Sequence, residues 1–468
     1  MAIQLPPSND VNALATAIQQ ATASGQPLDL LPGVHLTKPG FQPLTPIGPN
    51  GLVMGGPTGP LTIAAVQRPS FSVGDNPRHS TDDNYGLFFI PSKPAKPEMK
   101  GLQFHFHPPV PPTNVPFEFA ILQRGDIKIG NIHLDCNMGK QKKMKPDSAQ
   151  HSFMLGFAGA AYRVTPPGPN VLERRVFVAF NSVTLRNIKL LNGGFADDIR
   201  IDPGFVPNPP GFFRPNIGLM DMAGITTGPR FNGVGNSIRF DGLAQSVSIK
   251  QCDIDSLILE FDKDWSTFPG PPGPFQPSLW NVADVKARAI AFNAVGPVQT
   301  LNASHLDATA SFTVDNAAGQ IANSRLNLLP NDVQLANLRQ LLFQHCVFTL
   351  PQNAGVLNGI DLVTKPGKTL AATFQGCRFT TTGAVQKGHV IISLQSTDPA
   401  NQVTADFENC IYDAASPHSN VFVANLALRG DYTFLKADFA SLDIAKSIHT
   451  VSTAQVIDQG ATLLFRIP

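Results

Sequence analysis

The sequence has little charge and no long apolar stretch. Only 15% of its 468 residues are charged, with 35 Lys and Arg against 34 Asp and Glu, whereas soluble domains usually carry roughly 25%. This balance argues against a nucleic-acid binder, which carries a basic stripe. No run of about 18 apolar residues is present, so we expect no transmembrane helix and no membrane partner.

Cysteine is also scarce. The five cysteines are Cys136, Cys252, Cys346, Cys377 and Cys410. They form no CxxC pair and no metal-type spacing, and an odd, sparse set makes a disulfide framework unexpected. The N-terminus lacks the basic and apolar regions of a signal peptide. We therefore expect either a cytoplasmic protein or one whose leader has been removed.

What the chain does contain is phenylalanine, glycine and proline. Phe accounts for 32 aromatic residues against 4 Tyr and 2 Trp, and the chain holds 39 Gly and 42 Pro. An apolar content of 42% excludes disorder. Residues 9–24 predict one amphipathic helix, with Gly25 at its end. After it, the sequence consists of short β-like runs broken by Gly, Pro and Asn.

A short internal repeat is the strongest pattern in the sequence. Each copy has a small or polar residue, then an inward apolar residue or Cys, a variable residue, a large apolar residue and another variable residue. The copies are 103–107, 131–135, 187–191, 251–255, 303–307, 323–327, 345–349, 376–380 and 409–413. Some intervals between copies are long and accommodate either two coils or one coil with an insertion.

The repeat predicts an all-β fold, a single-stranded right-handed parallel β-helix. Alternate residues of short strands point into a narrow core, so equivalent residues of successive coils stack. Stacked Phe, Leu, Ile and Cys fill that core, and Asn131, Asn187, Asn323 and Asn409 are candidates for an amide ladder at the turn. An ordinary β-sandwich is the alternative. We expect a cap over residues 1–27 with the helix, a β-helix over 28–430, and a C-terminal coil and cap over 431–468.

Two segments carry the coil signature of a known family. Leu185-Arg-Asn-Ile-Lys-Leu190 and Phe407-Glu-Asn-Cys-Ile-Tyr412 resemble the coils of the pectin-lyase-like superfamily of right-handed parallel β-helices. The resemblance covers most of residues 28–430 and is architectural. Of the family's catalytic motifs, the chain has an isolated Asp197-Asp198 alone. The resemblance therefore implies the fold and a site on its outer face, with no catalytic roles transferred.

Prolines predict where loops leave the coils. Of the 42 prolines, 35 lie at or before Pro277. Since proline cannot donate to a strand ladder, its clusters indicate loops. We expect loop insertions at 32–60, 91–116, 203–215 and 262–285, and we interpret the long loops as walls of a groove; rigid decoration is the alternative.

Charged residues concentrate on two strands that lead into these loops. Alternation places Ile199 and Ile201 inside, with Asp198, Arg200 and Asp202 outside, and it places Glu260 and Asp262 outside on the later strand. Coils stack about 4.8 Å apart, so carboxylates on neighbouring coils suit glycoside chemistry. The candidate catalytic residues are Asp198, Asp202, Glu260 and Asp262. The candidate substrate-binding residues are Arg200, Phe212, Arg214, Lys263, Asp264 and Trp265. A solvated face with salt bridges is the alternative.

Histidines give a second candidate site. His105 and His107 flank one residue on a predicted strand, and His133, or Asp135 beside it, would complete a Zn²⁺ site if these coils are adjacent. Asp253, Asp255, His305 and Asp307 are a weaker set for a cation. The run Lys140, Lys142, Lys143 and Lys145 suits a solvated turn or an anionic polysaccharide. No phosphate loop, dinucleotide fingerprint or nucleophile elbow is present, so we expect no cofactor beyond this divalent cation.

These patterns predict an enzyme that cleaves glycosidic bonds in a polysaccharide or oligosaccharide. Hydrolysis by paired carboxylates is favoured because the candidates are mostly acids, and elimination by a polysaccharide lyase comes next. The alternative is a non-catalytic β-helical spike or adhesin, a homo-oligomer such as a trimer, that binds a glycan or a protein partner.

Overall fold

A computed structural model describes the chain in segments separated by gaps. The described residues are 2–6, 11–31, 34–37, 52–55, 61–65, 104–106, 122–123, 125–135, 153–158, 160–165, 174–191, 197–202, 204–207, 210–213, 216–228, 236–241, 243–261, 278–294, 299–328, 335–350, 352–353, 356–357, 360–381, 390–396, 398, 403–413, 420–422, 430–435 and 455–467. They form two compact units, Met1–Ser278 and Leu279–Pro468. The division between the units lies within the predicted insertion 262–285.

The first unit is built from short strands and one helix. Its strands are β1 (Ile3–Leu5), β2 (Leu28–Leu30), β3 (Val34–Thr37), β4 (Leu52–Gly55), β5 (Leu61–Ala65), β6 (Phe104–Phe106), β7 (Leu122–Gln123), β8 (Asp126–Asp135), β9 (Phe153–Ala158), β10 (Ala160–Thr165), β11 (Arg174–Ala179), β12 (Ser182–Leu191), β13 (Asp197–Asp202), β14 (Gly204–Pro207), β15 (Pro210–Phe213), β16 (Asn216–Ala223), β17 (Thr226–Thr227), β18 (Asn236–Asp241) and β19 (Leu243–Phe261). The helix α1 (Val11–Ser24) contacts β1, β2 and β4. It ends at Gly25, whose φ of 70° suits a residue without a Cβ.

Most of these strands pair in parallel as three ladders. Outside the ladders, β10 pairs antiparallel with β11, β11 pairs with β7, and β14 pairs antiparallel with β15. The first ladder runs β1–β2–β4–β8–β12–β16–β19. The second runs β3–β5–β8–β12–β17–β19, and the third runs β6–β9–β13–β18–β19. The long strands β8, β12 and β19 turn a corner and so contribute to more than one ladder. The first unit therefore has the parallel coil architecture that the repeat predicts, and an ordinary sandwich is wrong.

The second unit repeats this arrangement. Its strands are β20 (Ser278–Ala294), β21 (Gln299–Asp315), β22 (Ala318–Ala322), β23 (Arg325–Asn327), β24 (Leu335–Ala336), β25 (Leu341–Gln344), β26 (Val347–Leu350), β27 (Gln352–Asn353), β28 (Val356–Leu357), β29 (Ile360–Thr364), β30 (Leu370–Gln375), β31 (Arg378–Thr381), β32 (Val390–Ser396), β33 (Val403–Glu408), β34 (Ile411–Asp413), β35 (Asn420–Phe422), β36 (Gly430–Leu435), β37 (Gln455–Gln459) and β38 (Thr462–Ile467). Its parallel ladders are β21–β22–β25–β30–β33–β36, β21–β23–β26–β31–β34 and β21–β24–β29–β32–β35. Antiparallel pairing of β36 with β38, and of β38 with β37, follows in the chain.

A left-handed backbone residue marks the corner between the first and second ladders of both units. The non-glycine residues with φ between 49° and 55° at this corner are Asn131, Asn187, Gln251, Asp284, His305, Asn323, His345 and Asn409, and Gly224 and Gly376 take φ of 66° and 61°. Asn and Gly tolerate this conformation better than other residues. The repeat therefore reads correctly as a turn residue followed by an inward residue.

The corner residues also correct the repeat at several points. The turn residue of the copy at 303–307 is His305 and the buried residue is Leu306, so that copy is set two residues too early. Gly224 and Asp284 begin two copies that the sequence pattern missed. Asn187 Nδ2 donates to Asn131 Oδ1 at 3.1 Å, which confirms one rung of the amide ladder. The ladder does not continue from Asn323 to Asn409, because His345 and Gly376 occupy the coils between them.

Stacked apolar side chains fill the interior of the second unit. The rings of Phe343, Phe374 and Phe407 stack with centroid distances of 4.9 and 4.7 Å, matching the spacing of neighbouring strands. Cys346, Cys377 and Cys410 are fully buried at one repeat position, and Cys252 is buried in the first unit. The predicted inward positions of the four cysteines are confirmed, while Cys136 lies outside the described residues.

Several predicted insertions contain strands. β3 and β4 lie within 32–60, β6 lies within 91–116, and β14 and β15 form an antiparallel hairpin within 203–215. In the described part of the chain, the two strands of this hairpin pair with each other and not with the three ladders. No helix among the described residues is both long and apolar enough to cross a membrane.

Candidate functional site

The candidate site lies on the third ladder of the first unit, where three strands carry one sequence pattern. Ile199-Arg-Ile-Asp202 in β13 and Ile238-Arg-Phe-Asp241 in β18 match, and Leu257-Ile-Leu-Glu260 follows in β19. The inward residues Ile199, Ile201, Ile238, Phe240, Leu257 and Leu259 are all at most 1% exposed. Their burial confirms the predicted alternation and leaves the residues between them for the outer face.

Register aligns the charged residues into two adjacent columns. Arg200 is paired with Arg239, and Arg239 with Ile258, so the two arginines are neighbours. Two positions along, Asp241 is paired with Glu260, and continuing the β13–β18 register places Asp202 beside Asp241. We call the positions Arg200, Asp202, Arg239, Asp241 and Glu260 the charged face. It contains the predicted candidates Asp202, Arg200 and Glu260, but the prediction that their coils are neighbours is wrong, because β18 lies between β13 and β19.

Each arginine of the charged face has an acidic partner. Arg200 Nη1 donates to Asp197 Oδ2 at 3.1 Å, within its own strand. Arg239 Nη2 lies 2.7 Å from Glu260 Oε2 on the next strand. The side chains of Arg239 and Glu260 are 28% and 14% exposed, so the pair remains accessible at the edge of the buried layer. Arg200 is more enclosed, at 11%.

A buried polar network supports the start of these strands. Asn236 Nδ2 donates to Asp197 Oδ1 at 2.9 Å, and Ser256 Oγ donates to Asn236 Oδ1 at 3.5 Å. The Ser237 hydroxyl accepts from the backbone N–H groups of Asp255 and Ser256. These hydrogen bonds satisfy polar groups that are buried away from water at this corner.

Asp198 belongs to this corner and departs from the expected orientation. Alternation places Asp198 outside, but it is only 1% exposed. The register puts it in line with Ser237, which is also buried, and Ser256 follows on the next strand. Alternation fails here because Asp198 is next to the first residue of its strand, where the chain still turns the corner.

The remaining predicted site residues fall in different places. Phe212 is in β15 and is paired with Phe205 of the hairpin. Outside the described residues lie Arg214, Asp262, Lys263, Asp264 and Trp265, as do His107 and Lys140, Lys142, Lys143 and Lys145. Their predicted roles stay predictions.

The structure does not bring the candidate zinc ligands together. His105 belongs to β6 and is paired with Gly156 in the third ladder. His133 belongs to β8 and is paired with Thr62 and Lys189 in the second ladder. The repeat at 103–107 is therefore out of phase with the others. Burial, and then the charge of Lys189, lower the pKa of His133.

The weaker cation set has members in both units. Asp253 and Asp255 belong to β19 of the first unit, whereas His305 and Asp307 belong to β21 of the second unit. Within the second unit, His305 Nδ1 lies 3.7 Å from Asp284 Oδ1. Within the part of the chain that the structure describes, no group of three or more His, Cys, Asp or Glu is able to hold a metal ion.

Arg239 and Asp241 are the members of the charged face that sequence reasoning missed. The signal was present, because Ile238-Arg-Phe-Asp241 copies the pattern of Ile199-Arg-Ile-Asp202. Comparison with family models, with curated proteins and with solved structures finds no match to this chain. The site is therefore argued from its own geometry.

Proposed function

We propose that this chain acts on polysaccharide or oligosaccharide chains, which lie against the charged face of the third ladder. The observation that carries the proposal is the ion pair between Arg239 and Glu260, at 2.7 Å on adjacent strands, beside Arg200 on the strand before. Carboxylates bind sugar hydroxyls as acceptors, and guanidinium groups donate in a fixed fork. Parallel strands repeat these groups along the coil axis, as an extended polymer requires.

Cleavage of a glycosidic bond needs a proton acceptor and a proton donor. In hydrolysis, an ionised carboxylate takes a proton from water as the water oxygen bonds to the anomeric carbon, and a carboxylic acid protonates the departing oxygen. Glu260 is the acceptor, and Asp202 is the candidate donor, because its backbone position lies two strands from Glu260 in the same column, about 10 Å away. Asp198 is only 1% exposed and lies in line with Ser256, four residues before Glu260. Elimination would use a base in the same place. Asp198 and Asp262 stay as further acidic candidates from the sequence.

The fold assigned in this proposal is a right-handed parallel β-helix of the pectin-lyase-like kind. Its support is the three parallel ladders of each unit together with the coil signatures at 185–190 and 407–412. The contacts of α1 with β1, β2 and β4 suit a helix that covers the first strands of the first unit. Such a cap protects strand edges from pairing with other chains.

A non-catalytic glycan-binding spike or adhesin is the second candidate function. The observation that favours it is that Asp197 and Glu260 both already bond to a guanidinium group. Carboxylates neutralised in this way stabilise a rigid rod equally well. A trimer with glycan or protein partners would then present the outer faces for binding.

The two functions are separated by an assay over a panel of neutral and acidic glycans. Reducing ends and unsaturated uronate products are measured for the native chain, Asp202→Asn and Glu260→Gln. Glu408→Gln is the matched control, because Glu408 ends a ladder of glutamine amides in the other unit. We expect both site variants to lose at least about 100-fold of the activity, as removal of a general acid or base does, and the control to keep it.

Two results would reject parts of this proposal. Full activity in both site variants would remove the charged face as the catalytic site. Glycan binding by the native chain without any cleavage would establish the spike or adhesin reading instead.

A further inference from the structure

Arg239 occupies in β18 the position that Arg200 occupies in β13, but it makes a different contact. Arg200 bonds to Asp197 of its own strand, three residues earlier. Arg239 reaches forward to Glu260 on the following strand. Since the register pairs Arg239 with Ile258 and not with Glu260, the guanidinium group leans across the ladder to meet the carboxylate. The contact thus joins the basic column to the acidic column.

Four charged residues occupy backbone positions near Glu260 on two preceding strands in the described part of the first unit. From β18 these are Arg239 and Asp241, and from β13 they are Arg200 and Asp202. The outward position before Glu260 on its own strand is the uncharged Ile258. Asp241 is the register partner of Glu260, so a second acidic residue occupies the neighbouring position of the acidic column.

The contact with Arg239 favours the ionised form of the Glu260 carboxylate. The ion pair closes to 2.7 Å, and Coulomb energy rises as distance falls. Both side chains are less than one third exposed, so salt and water screen the pair less than they screen a surface pair. A charge-assisted hydrogen bond at this distance also fixes the direction in which the carboxylate points.

We propose that Arg239 is a positioning residue that keeps the Glu260 carboxylate ionised and oriented, which makes Glu260 the proton acceptor of the charged face. A carboxylate held in this way does not serve as the general acid. This assignment of roles rests on the proposed function. The ionisation of Glu260 does not, because it is measurable without any substrate.

The sequence makes this measurement practical. The chain contains five glutamates, Glu98, Glu118, Glu173, Glu260 and Glu408, so glutamate labelled with ¹³C at the side-chain carboxyl gives five resonances. The Glu260 resonance is the one that disappears in Glu260→Gln. In the native protein we expect its titration midpoint below the ordinary glutamate value of about 4.3. In Arg239→Gln we expect the midpoint to rise by about one pH unit or more, and in Arg239→Lys by less.

Arg186→Gln is the matched control. Arg186 pairs with Asp221 in the first ladder of the same unit, so its loss removes an equivalent ion pair at a distance from Glu260. We expect the Glu260 midpoint to be unchanged in this variant. A native midpoint at or above about 4.3 overturns the proposal even if Arg239→Gln does not fold, and so does an equal midpoint in the native and Arg239→Gln proteins.

Activity gives the second readout. If the native protein cleaves a glycan, the acidic limb of its pH–rate profile should move upward in Arg239→Gln by the same shift as the midpoint, and Arg239→Lys should restore part of it. An unmoved acidic limb rejects Glu260 as the proton acceptor. A third outcome separates the two proposals. If the native protein cleaves no glycan, but its Glu260 midpoint is low and rises in Arg239→Gln, the proposed enzyme is rejected and the role of Arg239 in ionising Glu260 stands.

Discussion

Gly376 makes room for the side chain of His345 in the preceding coil. A Cβ built at Gly376 would lie 2.5 Å from Nδ1 of His345, and the residue has a φ of 61°. Both the backbone conformation and the close approach therefore select glycine at this corner. His345 takes the left-handed conformation itself, with a φ of 52°.

Gly376→Ala should destabilise the protein more than Gly367→Ala does. Gly367 has a φ of 70° and nothing within 4 Å of its Cβ position, so its replacement costs the backbone strain alone, about 1 kcal/mol. Gly376→Ala adds the displacement of His345. The free energies of unfolding in urea measure the difference, and adding His345→Ala to Gly376→Ala should recover it. Equal costs for the two glycine variants would contradict the close approach.

Phe374→Ala should be among the most costly substitutions in the second unit. Its ring is fully buried and stacks on both Phe343 and Phe407, so the variant loses contacts on two sides and leaves a cavity. We expect a loss of about 3 to 5 kcal/mol in the free energy of unfolding. The control is Thr373→Ala, the outward neighbour on the same strand, with an expected change within about 0.5 kcal/mol. Similar costs for the two would show that the ring stack is not a continuous core.

The buried thiols should resist alkylation while the protein is folded. Burial raises the pKa of Cys252 to about 11. A hydrogen bond with Cys377, and then burial, raise the pKa of Cys346. Since the thiolate is the reactive form, iodoacetamide at about pH 8 should leave both cysteines unmodified in the native protein and modify them in urea. Peptide mass spectrometry assigns each site, and rapid labelling of the native protein would disprove the inward position.

His133 should make the first unit less stable in weak acid. Burial, followed by the charge of Lys189, lowers its pKa from the ordinary value of 6.5. Between the folded and the ordinary value, the unfolded chain binds a proton that the folded chain does not, so stability rises with pH through this window and is complete above it. His133→Gln should remove this part of the pH dependence, as measured by urea midpoints from about pH 5 to about pH 8.

Lys189→Gln provides the companion variant. It removes the smaller of the two causes that lower the pKa of His133. The pH range over which His133 affects stability should therefore become narrower but not vanish. The prediction is wrong if the urea midpoints of the native protein and of His133→Gln depend on pH in the same way. His133 would then have the same pKa in the folded and unfolded chains.

Much of the local structure was predictable because it depends on neighbouring residues. The helix is confirmed at Val11–Ser24, within the predicted 9–24, since apolar spacing and a terminal glycine are local signals. The inward positions of Ile199, Ile201, Leu257 and Leu259 followed from alternation in the same way. The sequence pattern located the corner at Asn131, Asn187, Gln251, Asn323, His345, Gly376 and Asn409. It misplaced the corner at His305 by two residues and missed Gly224 and Asp284, because different residue types satisfy the same backbone conformation.

The candidate site was predictable in its members but not in its contacts. The sequence indicated Arg200, Asp202 and Glu260 as one site, but it placed their coils side by side, whereas the register puts β18 between them. It did not indicate Arg239, whose strand stands between theirs, or the burial of Asp198. It also joined His105 to His133, which belong to different ladders.

The sequence by itself determined which side chains enter the interior and where each coil turns, because alternation and left-handed turns are properties of a few consecutive residues. Only the tertiary structure decided which strands are neighbours. Asn131 and Asn187 are hydrogen-bonded neighbours although a long stretch of sequence separates them. Asn187 and Gln251 are not neighbours, because Gly224 occupies the corner between them. The path of the chain between strands sets the register, and register creates the contact of Arg239 with Glu260 on which the proposed chemistry depends.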